Sequence, residues 1–246
     1  MKKIKLHYSI IIFFILSIFI GLSKEFLFIF LFLVLHDLGH LFIIKLFKLN
    51  INKIVFYPFG GIINYEFKND FLYKEILISF GGVLVNFLLM LLFYFLNIEV
   101  FYLINLMFLV INLLPIYPLD GGKITQYVLM NFLPFKLSKK ISYISSIILA
   151  IVLFISIYKV YQAYIVILFM CFVLKSNITS LVNLKEEYNN YIVIKHINFN
   201  DILPIKRSKR YSNDPVNNLF YGKNLVFDYD SFTLDEKSVL DKFYKK

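Results

Sequence analysis

The sequence predicts an all-α integral membrane protein with six transmembrane helices and a small α+β cytosolic tail. Hydrophobic residues make up 59% and charged residues 17% of the 246 residues, whereas soluble domains are about 45–50% apolar and about 25% charged. Six apolar runs approach the roughly 20 residues that a helix needs to cross a bilayer. This composition excludes a disordered chain, a disulfide-rich secreted domain and an ordinary cytosolic enzyme.

Each of the six apolar runs is interpreted as one membrane helix. The first run is short and follows three lysines, which is also typical of a signal peptide. It has no small-residue cleavage motif, however, and the next run begins almost at once. The predicted helices are Tyr8–Leu22, Phe26–Phe47, Ile76–Leu96, Val100–Leu119, Ile141–Tyr158 and Tyr161–Leu181.

The lysines between these helices predict the orientation of the chain. Twelve lie in the segments on the N-terminal side of the membrane and two lie in the opposite turns. Cytoplasmic segments carry the excess of Lys and Arg, so both termini are predicted to be cytosolic in a multi-pass cell-membrane protein. The net charge of +10 arises mainly within residues 1–180, with 15 lysines against 7 acids. This distribution favours a topology signal and a lipid bilayer partner over nucleic acid.

The composition changes near residue 184, which predicts a membrane domain of residues 1–183 and a tail of residues 184–246. Asn, Lys, Asp and Tyr dominate the tail. Alternation at Tyr191–Ile194 and an apolar–polar run at Leu225–Tyr229 are typical of strands, and Thr233–Tyr244 is predicted to form an amphipathic helix. About 60 residues make a small and marginally stable domain.

Ionisable side chains are few in the apolar segments. His36, Asp37 and His40 lie in the second predicted helix, and Asp120 lies at the inner end of the fourth. Ionisable groups inside a membrane are costly, so they indicate a functional site. Histidines four residues apart share a helix face and can bind one metal ion. A catalytic zinc site needs a third protein ligand, for which Asp120 is the candidate.

The same four residues are also compatible with a proton or ion relay in a transporter. A relay needs polar groups that continue to both faces of the membrane. The outer half of the second predicted helix, Phe26–Leu35, is wholly apolar. The sequence therefore favours a metal site over a transport path.

Four motifs occur in a fixed order along the membrane region. They are His36-Asp37-Leu38-Gly39-His40, Pro58-Phe59-Gly60-Gly61, the stretch from Gly81 to Asn86, and Asn112 followed by Pro115 to Gly121. In this order they resemble the motifs of the site-2 proteases (peptidase M50), which are intramembrane zinc metalloproteases. The sporulation branch, which processes the precursor of sigma factor K, is the most similar. The resemblance covers about residues 1–180.

The resemblance implies a zinc metalloendopeptidase that cleaves membrane-associated protein substrates, among which a precursor of a sigma factor is one candidate. It implies zinc as cofactor, a site that opens to the cytosol, and room for a membrane inhibitor or regulator. The metal ligands would be His36, His40 and Asp120, and Asp37 would be the catalytic base. Substrate binding would fall to Asn112, Asn86, Pro58, Phe59, Gly60 and Gly61. The loop Ile54–Glu66 has the alternation of an edge strand that could pair with an extended substrate.

Two departures from the family pattern leave alternatives open. The family has Glu where this chain has Asp37, and the missing methylene withdraws the carboxylate by about 1.5 Å. A misplacement of about 1 Å can cost roughly a hundredfold in rate, so a metal-binding pseudoprotease or scaffold is an alternative to an active protease. The sporulation branch also carries a cystathionine-β-synthase-type domain, and the tail has room for at most one degenerate copy.

Overall fold

The computed structural model describes residues 3–58, 60–65, 72–161, 164–197, 205–208, 219–221, 223–229 and 232–244. The elements, in chain order, are β1 (Lys3–Leu6), α1 (Ser9–Ile20), α2 (Ser23–Leu46), β2 (Ile51–Tyr57), β3 (Gly60–Tyr65), α3 (Leu72–Phe95), α4 (Glu99–Leu113), α5 (Asp120–Phe132), α6 (Phe135–Tyr161), α7 (Tyr164–Val182), α8 (Leu184–Ile197), β4 (Ile205–Ser208), β5 (Asn224–Tyr229), β6 (Phe232–Asp235) and α9 (Glu236–Tyr244).

Each predicted membrane segment coincides with an apolar helix. Ser23–Leu46, Leu72–Phe95 and Phe135–Ser156 are long and apolar enough to cross a membrane. Three shorter apolar helices are Ser9–Ile20, Glu99–Leu113 and Met170–Val182. The protein is therefore mostly helical with three candidate membrane spans among the described residues, and six crossings stay a prediction.

The chain divides into two compact units, Met1–Glu66 with Leu77–Leu114 and Phe67–Ile76 with Pro115–Lys246. In the first unit, α2 and α3 approach closely where Gly39 faces Gly81. A Cβ atom added to Gly39 would lie 2.3 Å from the Gly81 carbonyl oxygen. Phe32 packs edge-on against Phe93 and Phe101, with ring centroids 5.5 and 5.3 Å apart. Only glycine at positions 39 and 81 allows α2 and α3 to approach this closely, and this approach fixes the register of the two helices.

A three-stranded sheet joins the end of α2 and refines the predicted all-helical class. The central strand β2 runs parallel to β1 and antiparallel to β3. Residues Ile51 and Ile54 of β2 pack with Leu41, Ile44 and Ile78 in one buried cluster. The strand predicted within Ile54–Glu66 is thus confirmed as β3 with part of β2, and β2 lies on one side of β3.

The predicted end of the fourth helix is wrong. The sequence predicts a helix up to Leu119, but α4 ends at Leu113 and Leu114 is extended, with ψ of 135°. Pro115 explains the early end, because the residue before a proline is disfavoured in the helical region. Asp120 is instead the first residue of α5, where the positive end of the helix dipole stabilises a carboxylate. Gly121 and Gly122 accordingly lie inside α5.

The tail begins with a helix where the sequence suggests a strand. Tyr191–Ile194 lies inside α8, whose buried residues are Leu184, Tyr188, Tyr191, Ile192 and Lys195. These positions follow the 3.6-residue period of a helix, and this longer pattern overrides the four-residue alternation. The strand at Leu225–Tyr229 is confirmed within β5, which pairs with β4 in parallel and with β6 in antiparallel. Because β6 takes up Thr233, the last helix begins at Glu236.

One apolar core in the second unit includes residues from both sides of position 184. The ring of Tyr191 stacks on Phe135 with centroids 4.1 Å apart, and Met130, Leu219 and Leu240 belong to the same cluster. The hydroxyl of Tyr221 donates a hydrogen bond of 3.1 Å to Glu75 in the first turn of α3. The division into domains at residue 184 stays a prediction, since the core extends across it.

The same core encloses an ion pair between Lys195 of α8 and Glu236 of α9, and both side chains are 0% exposed. Burial lowers the pKa of the Lys195 ammonium, while the charge of Glu236 opposes the shift. The ammonium also donates to the carbonyl oxygens of Phe220 and Lys223, at 2.8 and 2.9 Å. These hydrogen bonds offset the cost of burying the charge.

Candidate metal centre

His36 and His40 lie one turn apart on α2, and their side chains meet. Their Nε2 atoms are 3.1 Å apart, and the residues are only 4% and 8% exposed. Asp37 is buried beside them, and one ligand atom from each of the three residues lies within 4.8 Å of the others. The structure thus brings together the three residues that the sequence motif singles out in α2.

The outer ring nitrogens of both histidines are held by α3. His40 Nδ1 lies 2.7 Å from the carbonyl oxygen of Ile78. A carbonyl oxygen only accepts, and this contact is shorter than the 3.3 Å from the Gly82 N–H to the same nitrogen. We therefore assign the proton to Nδ1, which leaves Nε2 its lone pair. His36 Nδ1 lies 2.9 Å from the side-chain nitrogen of Asn86. The amide oxygen of Asn86 is buried without a hydrogen-bond partner in the part of the chain described. Exchanging the two amide atoms lets that oxygen accept from His36 Nδ1 and gives His36 the same tautomer.

The absence of a side chain at Gly82 leaves the Nε2 atoms accessible. A Cβ atom at this position would lie 2.5 Å from His36 Nε2 and 2.6 Å from His40 Nε2. Two nitrogens bound tetrahedrally at 2.0–2.1 Å to one zinc ion lie about 3.3 Å apart, close to the observed separation. Two neutral imidazoles in this cradle therefore fit a zinc ion.

The carboxylate of Asp37 faces the sheet. A Cβ atom at Gly61 of β3 would lie 2.5 Å from Asp37 Oδ2, so the backbone of β3 passes directly beside this carboxylate. Gly60, with φ of 137°, adopts a conformation that favours glycine. Pro58 is half-buried in the turn before β3, and Phe59 lies outside the described residues. The predicted base and the predicted substrate strand are neighbours.

Asp120 and Asn112 belong to different units of the fold. Asp120 is buried at the start of α5 in the second unit, and its Oδ1 pairs with Lys123 Nζ one turn later at 3.1 Å. Asn112 is half-buried in the last turn of α4 in the first unit. The participation of both residues in the site stays a prediction.

Sequence reasoning missed two contributors in α3. Gly82 was noted as part of a motif, but its closeness to both rings follows only from the packing of α2 on α3. Ile78 acts through its backbone carbonyl, which leaves no signal in its side chain. The pair of adjacent glycines in an apolar helix is the one clue that another group approaches α3 here.

Comparison with known proteins places these residues in a family. The sequence profile of peptidase family M50 matches residues 25–100 and 97–156, which together are more than half of the 246 residues. The chain belongs to peptidase family M50. The match includes every site residue predicted from the sequence, and the resemblance to site-2 proteases is confirmed.

Individual members of family M50 are similar over the same region. Stage IV sporulation protein FB of Bacillus subtilis is 29% identical over 150 residues, which are 57% of this chain and 52% of that protein. A zinc metalloprotease of Methanocaldococcus jannaschii is 31% identical over 166 residues, 58% of this chain and 45% of that protein. The chain thus spans about half the length of the curated relatives it matches.

A solved structure supports the fold assignment. The site-2 protease from Methanocaldococcus jannaschii superposes with a TM-score of 0.59 at 27% sequence identity. The superposition covers 72% of this chain and 90% of that structure. This M50 chain therefore has the site-2 protease fold and is a multi-pass membrane protein.

Proposed function

We propose that this protein is an intramembrane zinc metalloprotease that hydrolyses peptide bonds of membrane-associated proteins. The observation that carries the proposal is the pair formed by His36 and His40. Their Nε2 atoms are 3.1 Å apart beside the side-chain-free position of Gly82. A buried carboxylate follows the first histidine directly. Membership of family M50 supports the same reaction.

In this proposal His36, His40 and Asp120 hold the metal. When bound, a zinc ion would supply a Lewis acid that polarises the scissile carbonyl and acidifies a water molecule. Asp37 would accept the proton from the attacking water and hand it to the leaving amine. Asp37 is buried, with 4% exposure, and the backbone of β3 at Gly61 lies beside its carboxylate.

The substrate would bind as a strand, because a peptide bond within a helix is shielded by its own hydrogen bonds. The edge of β3 next to Asp37 is suited to main-chain pairing, and Pro58, Phe59, Gly60 and Gly61 would control access. Asn112 would hydrogen-bond the substrate backbone. Asn86 was predicted to share that task, but its contact with His36 supports a role in orienting a metal ligand.

The membrane arrangement is part of the same proposal. It has six crossings in the cell membrane, both termini in the cytosol and the site open to the cytosol, as the distribution of lysines predicts. The similarity to a sporulation protein supports a precursor of a sigma factor as a substrate, with a membrane inhibitor or regulator as a partner.

The second candidate function is a metal-binding pseudoprotease or scaffold, and Asp37 is the residue that favours it. Its side chain is one methylene shorter than the Glu of the family. A proton or ion transporter is a weaker candidate, because the outer half of the second predicted helix, Phe26–Leu35, is wholly apolar.

The test combines metal content with cleavage of a membrane-tethered precursor of a sigma factor, using protein purified in detergent. We expect about one zinc per chain in the native protein and almost none in His36→Ala. His196→Ala, which alters a half-buried tail histidine paired with Asp241, serves as the control. Asp37→Asn should keep zinc and lose cleavage by about 10²- to 10⁴-fold, the usual share of general acid–base catalysis.

Three other outcomes would change the conclusion. Zinc without cleavage in the native protein, restored by Asp37→Glu, would make it a pseudoprotease. Zinc content that is the same in native protein and in His36→Ala would refute the assignment of the histidines. No zinc in the native protein would refute the metal site and revive the relay.

A further inference from the structure

The segment between α4 and α5 is held by side chains from two other helices. Its central residue is Tyr117, three positions before Asp120. The backbone N–H of Tyr117 donates to Ser146 Oγ of α6 at 2.9 Å. Its carbonyl oxygen accepts from Asn177 Nδ2 of α7. Both backbone polar groups of one residue are thus bound by side chains from elsewhere in the second unit.

Ser146 and Asn177, which bind the backbone of Tyr117, are completely buried, with 0% exposure each. Polar side chains inside apolar helices are costly, so their retention needs a compensating contact. Asn177 Nδ2 also donates to the carbonyl oxygen of Val173 at 2.8 Å, one turn earlier in α7. That second hydrogen bond fixes the rotamer of Asn177 toward Tyr117. Neither residue belongs to a motif identified in the sequence.

The position of Tyr117 is transmitted to Asp120 over a short and rigid path. The N–H of Leu119 donates to the Ile116 carbonyl oxygen at 2.9 Å, and the N–H of Lys123 donates to the Leu119 carbonyl oxygen at 3.0 Å. A Cβ atom at Gly122 would lie 2.3 Å from both Ile116 C and Tyr117 N. The segment therefore folds tightly onto the first turn of α5, and a shift of Tyr117 displaces the start of that helix.

We propose that Asn177 and Ser146 are positioning residues that aim the Asp120 carboxylate by fixing the backbone of Tyr117. The inference rests on the proposed function, in which Asp120 is the third metal ligand. The segment lacks a continuous helical ladder of hydrogen bonds, so the backbone polar groups of Tyr117 need partners from elsewhere in the fold. The two buried side chains supply the missing constraint. Loss of either side chain leaves Asp120 in the chain but makes the direction of its carboxylate less well defined.

The experiment measures zinc affinity of the full-length protein in detergent by competition with a chelator. Removing an outer partner of a metal ligand typically costs about 10- to 100-fold in affinity, and we expect about tenfold for Asn177→Leu. We expect about threefold for Ser146→Ala, the equivalent of one hydrogen bond. The controls are Asn183→Leu, in the exposed turn after α7, and Ser145→Ala, whose hydroxyl bonds to the Ser142 carbonyl of its own helix. Both controls should bind zinc like the native protein.

A double-mutant cycle separates positioning from general destabilisation. If Asn177 acts through Asp120, Asn177→Leu should cause no further loss of zinc affinity in the Asp120→Ala background. Ser146→Thr, which keeps the hydroxyl, should restore the affinity lost in Ser146→Ala. Thermal unfolding with chelator present identifies any variant that fails to fold, and Ser146→Ala decides the question if Asn177→Leu does not fold.

The outcomes distinguish this inference from the proposed function. Native zinc affinity in both Asn177→Leu and Ser146→Ala, with zinc lost in His36→Ala, would overturn the positioning role alone. A further tenfold loss from Asn177→Leu in the Asp120→Ala background would do the same. A native protein that binds no zinc would overturn both proposals.

Discussion

The two halves of the proposed metal site are built in contrasting ways. His36 and His40 lie on one regular helix, and their spacing of four residues brings the Nε2 atoms to 3.1 Å. Asp120 follows a segment that is not helical, and its direction depends on Ser146 and Asn177, which lie 26 and 57 residues further along the chain.

This difference shows which parts of a site a helix can specify alone. A helix fixes the relative position of two side chains through its own hydrogen bonds, so the packing of α3 only has to orient the rings. A ligand after an irregular segment needs tertiary hydrogen bonds for its position as well. The four predictions that follow test this contrast.

The largest loss of zinc affinity is expected from removing a metal ligand, whether a histidine of α2 or Asp120 of α5. Structural zinc binding contributes about 10–16 kcal/mol over its ligands, so each ligand accounts for about 3 kcal/mol, or roughly 100- to 1,000-fold in affinity. His40→Ala and Asp120→Ala should both show such a loss in competition with a chelator. Undiminished zinc affinity in Asp120→Ala would remove Asp120 from the site and leave the histidine pair.

Gly82→Ala should come next, because its Cβ would meet both ring nitrogens. Ordinary contact would require the rings to move by about 1 Å, and we expect zinc affinity to fall by about 100-fold, the upper end of the range seen when the orientation of metal ligands is disturbed. Zinc affinity is the measurement, and Leu84→Ala on the exposed face of α3 is the control. A variant that binds zinc like the native protein would show that the metal lies elsewhere.

Asn86→Leu should lower zinc affinity by about 10-fold or somewhat more, as expected for the loss of an outer partner of a ligating histidine. The matched control is Asn105→Leu, which changes another buried asparagine, bonded to the Phe101 carbonyl of its own helix. If Asn86 instead binds only substrate, Asn86→Leu will raise KM and leave zinc affinity at the native value.

Gly61→Ala is expected to have the smallest effect and to spare the metal. Its Cβ would lie 2.5 Å from Asp37 Oδ2, so the carboxylate must move by about 1 Å. Because this carboxylate is the far end of a side chain that can rotate, we expect kcat to fall by only about tenfold. Ile62→Ala, which changes an exposed neighbour in β3, serves as the control. A loss of zinc from Gly61→Ala would contradict the separation of base and ligands.

The sequence predicted those features that depend on local periodicity. Apolar runs marked the positions of the six apolar helices, and the spacing of His36 and His40 indicated a shared ligand face. The alternation between residues 54 and 66 indicated a strand, which is β3 with part of β2. In each case the structure depends on hydrogen bonds between residues close in sequence, or on pairing with the neighbouring strand.

The sequence failed where tertiary contacts compete with local pattern. The run Tyr191–Ile194 alternates like a strand, but a longer helical stripe packs against Phe135 and takes precedence. The fourth apolar run continues to Leu119, although Pro115 ends the helix earlier. The roles of Ile78 and Asn177 could not be predicted, because one acts through its backbone and the other contacts a residue 60 positions away.

The shared core of the second unit also imposes an order on the biogenesis of the protein. The histidine pair and its partners in α3 have all been synthesised once Asn86 is added. The apolar surface of Met130 and Phe135 stays uncovered until Leu219 and Leu240 have been synthesised. Leu240 follows Phe135 by more than 100 residues. At about 5–20 residues per second, this wait lasts roughly 5–20 s. During that time the surface is open to chaperones and to wrong partners, so the nascent chain is most vulnerable at its second unit.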